Sequence, residues 1–265
     1  MSDRLAILIG HDPSREAEGA RLLQSLLRHG RTDWRLYVGW MAPAHVPRHA
    51  WMAHPRVVVR NEWPREGVSR GFNALARLGD EAWMAWLNND AEVEEAWDAE
   101  AVATLLAHPA AGMAALPYLT PHHPVGYHVN EFPSGLLYAN FGVFRRTDFE
   151  AVGGFDDRIR MYGCDNALCL RFQAARRPLV VSPRSRVVHH YREDEARADT
   201  MSRYEELRRS WADVWTNEWQ PRIPELMAIQ QAMPRYDLVQ QPIETYARKY
   251  GVTERGHATE VDVVR

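Results

Sequence analysis

Residues 83–95 read WMAWLNNDAEVEE, five apolar residues running into Asn88, Asn89 and Asp90 with more acids behind. A strand that leaves a core on a carboxylate has two ordinary uses. The carboxylate can cap a following helix, here AEVEEAW, by accepting from its first backbone N–H groups. Or it can hold a hard cation, which takes oxygen ligands and completes its shell with water or phosphate oxygens. Asn88 and Asn89 suit either the turn or the lining of such a site. Four further groups could do chemistry. Gly10, His11 and Asp12 follow the first apolar run, RLAILI, where open α/β sheets bind ligands. Trp40 ends the second run and could stack on a planar ring or fill the core. Asp165 precedes NALCLRFQAAR and suits the N-cap of a helix there. His189 and His190 close the run VVHH; neighbours on a strand face opposite ways, so only one of them can reach a given site.

The elements that must position these groups follow from the hydrophobic pattern. Strands are expected at 4–9, 34–38, 57–59, 83–87, 113–116, 179–181 and 186–190, with helices at 17–27, 69–78, 96–107 and 165–176. That alternation is the signature of an α/β domain. Residues 117–135, rich in Pro, His, Tyr and Gly, read as a long loop serving a site, and 135–146 returns to extended structure. After Tyr191 the chain becomes charged and helical over 204–219, then a tail containing Gln and Pro. The expected division is a domain over 1–192 and a C-terminal helical extension over 193–265.

Composition narrows the function classes. The chain has 265 residues, a net charge of −3, and gives no support to general nucleic-acid binding. No apolar run approaches the roughly 18–20 residues of a membrane span, and MSDRLAILIG is too short for a signal peptide. Cys164 and Cys169 form neither a disulfide framework nor a zinc pattern, which fits a reducing cytoplasm. The Trp content of 10 residues leaves room for stacking surfaces beside the core.

Six separated segments, in order, resemble one family: the GT-A glycosyltransferases, in particular the large family-two group that contains many rhamnosyl- and other sugar transferases. The first strand and its turn resemble the family's nucleotide-binding loop. REGVSRGFN (65–73) is similar to its Asn-x-Gly-x-x-x-(Gly/Ala)-x-Asn stretch, with Gly67, Gly71 and Asn73 matching and Arg65 where Asn is common. LNND (87–90) resembles the metal-binding Asp-x-Asp motif in its Asn-Asn-Asp form. FRRTDFEAVGGFDDRI (144–159), CDNALCLRF (164–172) and VVHHY (187–191) resemble the GGFDe segment, the Glu-Asp helix and the strand with a late histidine. The set covers roughly residues 4–191; each motif alone is weak and the ordered set is specific. Three departures stand out. Gly39-Trp40 occupies the place of a base-reading acid, Cys164 replaces the Glu of the Glu-Asp pair, and Ala167 replaces the next Asp.

The resemblance implies a GT-A fold, a Rossmann-like nucleotide-binding mixed sheet flanked by helices. It implies inverting transfer of a hexosyl or deoxyhexosyl unit from a nucleotide-diphosphate sugar donor to a hydroxyl acceptor. A divalent cation, Mn²⁺ or Mg²⁺, would neutralise the leaving diphosphate, held by Asp90 with His189 assisting. Asp165 would be the general base on the acceptor hydroxyl. Asp165→Asn is expected to change stability by less than about 1 kcal/mol, because Asn caps nearly as well as Asp. Gly10, His11, Asp12, Trp40, Asn88 and Asn89 would bind the donor together with Asp90. Gly67, Arg70 and Asn73 would meet its pyrophosphate and base. Asn140 and Gly142 would line the acceptor side. Asp156 and Asp157 are expected to cap or pair locally beside the two glycines.

Two other classes compete. A sugar nucleotidyltransferase would normally open with a Gly-rich basic phosphate loop, which IGHDPSRE does not supply. A non-catalytic nucleotide- or carbohydrate-binding protein would explain the tryptophans but not Asp90 and Asp165 in family register. The acceptor expected from the resemblance is a saccharide or glycoconjugate; a modified nucleic-acid base is the alternative.

Overall fold

The computed structural model describes residues 4–43, 45–61, 67–120, 126–132, 134–190 and 204–234. The first third of the chain forms β1 (Arg4–His11), α1 (Glu16–His29), β2 (Asp33–Trp40), β3 (Val57–Arg60), α2 (Val68–Ala76) and β4 (Trp83–Trp86). After these come β5 (Ala91–Val93), α3 (Trp97–Ala107), β6 (Met113–Ala115), β7 (Tyr118–Leu119), β8 (Asn130–Glu131) and β9 (Leu137–Tyr138). The remainder is β10 (Gly142–Arg145), α4 (Arg146–Ala151), α5 (Cys164–Ala174), β11 (Leu179–Val181), β12 (Val187–His189), α6 (Tyr204–Val214) and α7 (Ile223–Gln230).

A seven-stranded mixed sheet runs β11-β6-β10-β4-β1-β2-β3, parallel except that β10 is antiparallel to both its neighbours. β1 lies near its middle and is buried on both faces, which is why RLAILI reads as a continuous apolar run. Leu5, Ile7 and Ile9 share one apolar cluster with Leu22 and Leu26 of α1 and Ala101 and Leu105 of α3. Ala6 and Leu8 face the other way, towards Phe72 and Leu75 of α2 and Leu168 and Phe172 of α5. This is the expected helix-flanked α/β sheet.

A second sheet, β5-β12-β7, stands where the large one ends. It revises three expectations. Asp90 does not cap a helix: the residues after it pair as β5, and the helix waits until Trp97. The stretch 117–135 contributes β7 and β8 rather than loop alone, with 121–125 and 133 outside the described residues. Asp165 is not an N-cap either. α5 begins one residue earlier, with Gly163 at the cap in a left-handed conformation that glycine adopts without strain.

The helical sequence after 204 packs on this frame. Val214, Trp219 and Leu226 share an apolar cluster with Phe132, Leu136, Ala167 and Leu170. The Gln230 side chain accepts from Gln173 Nε2 at 3.1 Å and donates to the Leu179 carbonyl at 2.8 Å. Among the described residues, no helix is long and apolar enough to cross a membrane.

Candidate active site

Asp90 stands between β4 and β5, and β5 pairs antiparallel with β12 so that Ala91 faces His189. The pairing brings His189 Nε2 to 3.2 Å from Asp90 Oδ1 and to 3.2 Å from Asn88 Nδ2. His190 turns away, its Nε2 3.0 Å from Glu92 Oε2. Burial works to raise the Asp90 carboxyl, but the His189 imidazole, with the Arg15 charge in support, holds it below the ordinary carboxylate value.

Among the described residues no donor is well aligned for a hydrogen bond to the buried Asp90 Oδ1; the His189 ring nitrogen is close to it but off the ideal direction. A carboxylate oxygen so placed beside an imidazole nitrogen suits a divalent cation. Adjacent ligands in a shell with bonds of about 2.1 Å lie roughly 3 Å apart. Two protein ligands fit a cation that keeps water and takes phosphate oxygens. Among the described residues no group of three or more His, Cys, Asp and Glu could hold a metal ion unaided.

The residues expected at the donor sort into two sets. Asn88, Asn89 and Asp90 lie together, and Asn89 Nδ2 is 3.4 Å from His11 Nδ1. Gly10 pairs with Gly39 in register at the ends of β1 and β2. Asp12 shapes the turn into α1, its Oδ1 accepting from Ser14 N at 2.8 Å and Ser14 Oγ at 2.6 Å. Trp40, however, is 0% exposed, stacked on His11 at 5.9 Å and edge-on to His49 at 5.2 Å. It offers no open face to a nucleotide base, so the stacking expectation gives way to a core role. His11 is equally enclosed, with Trp51 edge-on at 5.0 Å. Burial first, and then His49, lowers its pKa to about 4, so it is neutral at neutral pH.

The other set fastens elements together. Asn73 Nδ2 donates to the Phe155 carbonyl and to Asp157 Oδ1, both at 2.8 Å, and Asn73 Oδ1 accepts from Phe155 N at 2.9 Å. Its amide is used by the GGFDD turn rather than offered to a base. Gly67 has φ +131°, and a side chain there would collide with the Arg160 backbone. Arg70 is exposed on α2. Asp156 is buried between Arg158 and Arg171, at 2.5 and 3.0 Å. Gly142 is buried opposite Trp86 on β4, and a Cβ would lie 2.8 Å from Cη2 of that indole. Its smallness makes room for Trp86, not for an acceptor.

Asp165 is the second residue of α5, and its Oδ1 accepts from Asn166 N at 2.9 Å. Burial lifts its carboxyl from 3.8 to about 6, and its charge is felt by Tyr118, Tyr138, Cys164 and Cys169. Tyr118 Oη donates to Asn130 Oδ1 at 3.1 Å, Asn130 Nδ2 donates to Asn140 Oδ1 at 2.5 Å, and the Asn140 carbonyl accepts from Trp86 Nε1 at 2.7 Å. The Tyr118 ring also lies edge-on to the His189 ring at 6.2 Å. Tyr118 thus borders His189 of the Asp90–His189 pair and lies within reach of the Asp165 charge.

No family model and no curated protein matches the sequence. Among solved structures, the chain is similar to the mannosyltransferase PcManGT from Pyrobaculum calidifontis, in complex with GDP-Man and Mn²⁺. The TM-score is 0.62 over 87% of this chain and 70% of that one, at 17% identity. The chain shares the fold of that mannosyltransferase. It is also similar to TarS 1–349 from S. aureus, with a TM-score of 0.58 over 87% of this chain and 71% of that one, at 9% identity.

The sequence pattern does not mark three residues beside this site. Arg15 sits at the N-cap of α1, and its charge bears on Asp90; the only signal was a basic residue in GHDPSRE. Tyr118 and Asn130 lay in a stretch read as loop, where no periodicity marks a two-residue strand.

Proposed function

We propose that the protein is a metal-dependent, inverting glycosyltransferase that moves a hexosyl or deoxyhexosyl unit from a nucleotide-diphosphate sugar to a hydroxyl. One observation carries the reading: strand pairing sets the His189 imidazole against the Asp90 carboxylate, a pair fit for a cation, with the Tyr118 ring edge-on to that imidazole. The GDP-Man and Mn²⁺ held by a protein of similar fold support the donor class.

Asp90 and His189 would hold a divalent cation, which would supply positive charge for the departing diphosphate. The remaining work falls to the chain. Arg15 adds positive charge on the same side, and Asn88 and Asn89 offer amides to the donor. The acceptor oxygen attacks the anomeric carbon from the face opposite the diphosphate; its C–O bond forms as the bond to the diphosphate breaks. Asp165 takes the acceptor proton, and its raised pKa makes it a stronger base than an ordinary carboxylate. The favoured acceptor is a saccharide or glycoconjugate hydroxyl. The free thiols of Cys164 and Cys169 support a reducing, cytoplasmic setting.

The test is release of nucleoside diphosphate from a panel of GDP- and UDP-sugars, with Mn²⁺ or Mg²⁺ and with excess chelator. Release that depends on the cation is expected. Full turnover in chelator would remove the metal from the reading, and no release from any donor would remove the enzyme.

A further inference from the structure

The turn that leads into Asp165 rests on the C-terminal helices. Gly163, with φ +86°, caps α5, and its carbonyl accepts the first helical bond from Ala167 N at 2.8 Å. A side chain on Gly163 would run into the middle of the Trp211 indole, meeting Cγ, Cδ2 and Cε3. Trp211 lies 5.7 Å from Trp215, Trp215 stacks on Phe132 at 5.1 Å, and Phe132 packs on Tyr138 at 4.8 Å. Trp211, Tyr138 and Cys164 belong to one apolar cluster. Beside Trp211, the Ser210 hydroxyl accepts from Arg160 N at 3.4 Å. Trp211 of α6, followed by Trp215, Phe132 and Tyr138, therefore forms an arc of rings whose first member packs on the N-cap of α5, two residues before the carboxyl.

We propose that Trp211 is a positioning residue for Asp165: through Gly163 it fixes the first turn of α5, and with the aromatic arc it keeps water from one side of that carboxyl. Its consequence for catalysis rests on the reading of Asp165 as the base; the positioning itself does not. The groups whose titration Asp165 influences are the thiols of Cys164 and Cys169 on its own helix and the phenols of Tyr118 on β7 and Tyr138 on β9. None of the four carries positive charge, and exclusion of water is what raises the Asp165 pKa.

The experiment is a carbon-13 NMR titration of the Asp165 carboxyl in the full chain, for wild type, Trp211→Phe and Trp211→Ala, with thermal unfolding recorded for each. Wild type and Trp211→Phe should titrate near pH 6, and Trp211→Ala lower by roughly one pH unit as water enters. A folded Trp211→Ala with an unchanged midpoint overturns the proposal, as does a wild-type midpoint near 4. If Trp211→Ala does not fold, Trp211→Leu is held to the same two outcomes. Turnover is measured in parallel on the donor found active above. Full activity of Asp165→Asn would end the base reading alone and leave the titration result standing.

Discussion

Because burial raises the Asp165 carboxyl from 3.8 to about 6, the folded chain holds a proton between those pH values that the unfolded chain releases. The contribution of this group to stability therefore falls as pH rises through that window. At pH 7.5 its ionised form costs the fold on the order of 2–3 kcal/mol. Asp165→Asn should accordingly be more stable than wild type in urea at pH 7.5, with most of the gain gone by pH 4.5. This replaces the expectation of a change under about 1 kcal/mol, which took Asp165 for a cap. Transfer by the same variant should fall by roughly 10²–10⁴ while donor affinity holds, the usual worth of a general base; equal losses in both would argue for a misfolded site. At the cation pair, Asp90→Ala should abolish metal-stimulated turnover. His189→Ala should cost more than His190→Ala, since the His189 ring is the one beside the Asp90 carboxylate, while His190 meets Asp90 through its backbone N–H. Kinetics showing His190→Ala as the worse variant would mean that the imidazole at Asp90 is not the one that matters.

At the scale of elements, α2 and the 154–160 turn are fastened by Gly67 and Asn73. Gly67→Ala combines a φ of +131° with a collision against the Arg160 backbone, which should cost on the order of 2–3 kcal/mol. A urea midpoint lowered by that much, with normal donor affinity in the folded protein, is the expected result. Normal stability with weakened donor binding would return Gly67 to the donor site. Elements buried on both faces were legible in the sequence, because runs such as RLAILI have one plausible reading. β5 was not, since its middle residue is Glu92 and the acids around it imitate the first turn of a helix. β7, β8 and β9 have two residues each, too few for any period to show. The site inherited the same division. LNND and VVHHY could be matched residue by residue, whereas the contributions of Tyr118 and Arg15 depend on strand pairing and loop placement that no spacing announces.

Across the whole molecule, the proposed cation and donor and the C-terminal helices should each bear on stability. Mn²⁺ with a nucleoside diphosphate at about 100 times its Kd should stabilise the folded state by about 2.7 kcal/mol. Thermal unfolding would show that as a rise of several degrees, absent from Asp90→Ala. Ending the chain before residue 204 uncovers Phe132, Leu136, Ala167 and Leu170, so such a truncation should lower the melting temperature and aggregate. A truncated chain that melts like wild type would make the segment the detachable extension that composition suggests. The three-stranded sheet carries a consequence in time. Its partners come from residues 91–93, 118–119 and 187–189, so the imidazole beside Asp90 is made 99 residues after it. A ribosome adding roughly 5–20 residues per second needs about 5–20 s to cross that gap. Throughout that interval the nascent chain carries Asp90 without His189, and a chain that stops before residue 189 cannot complete the pair.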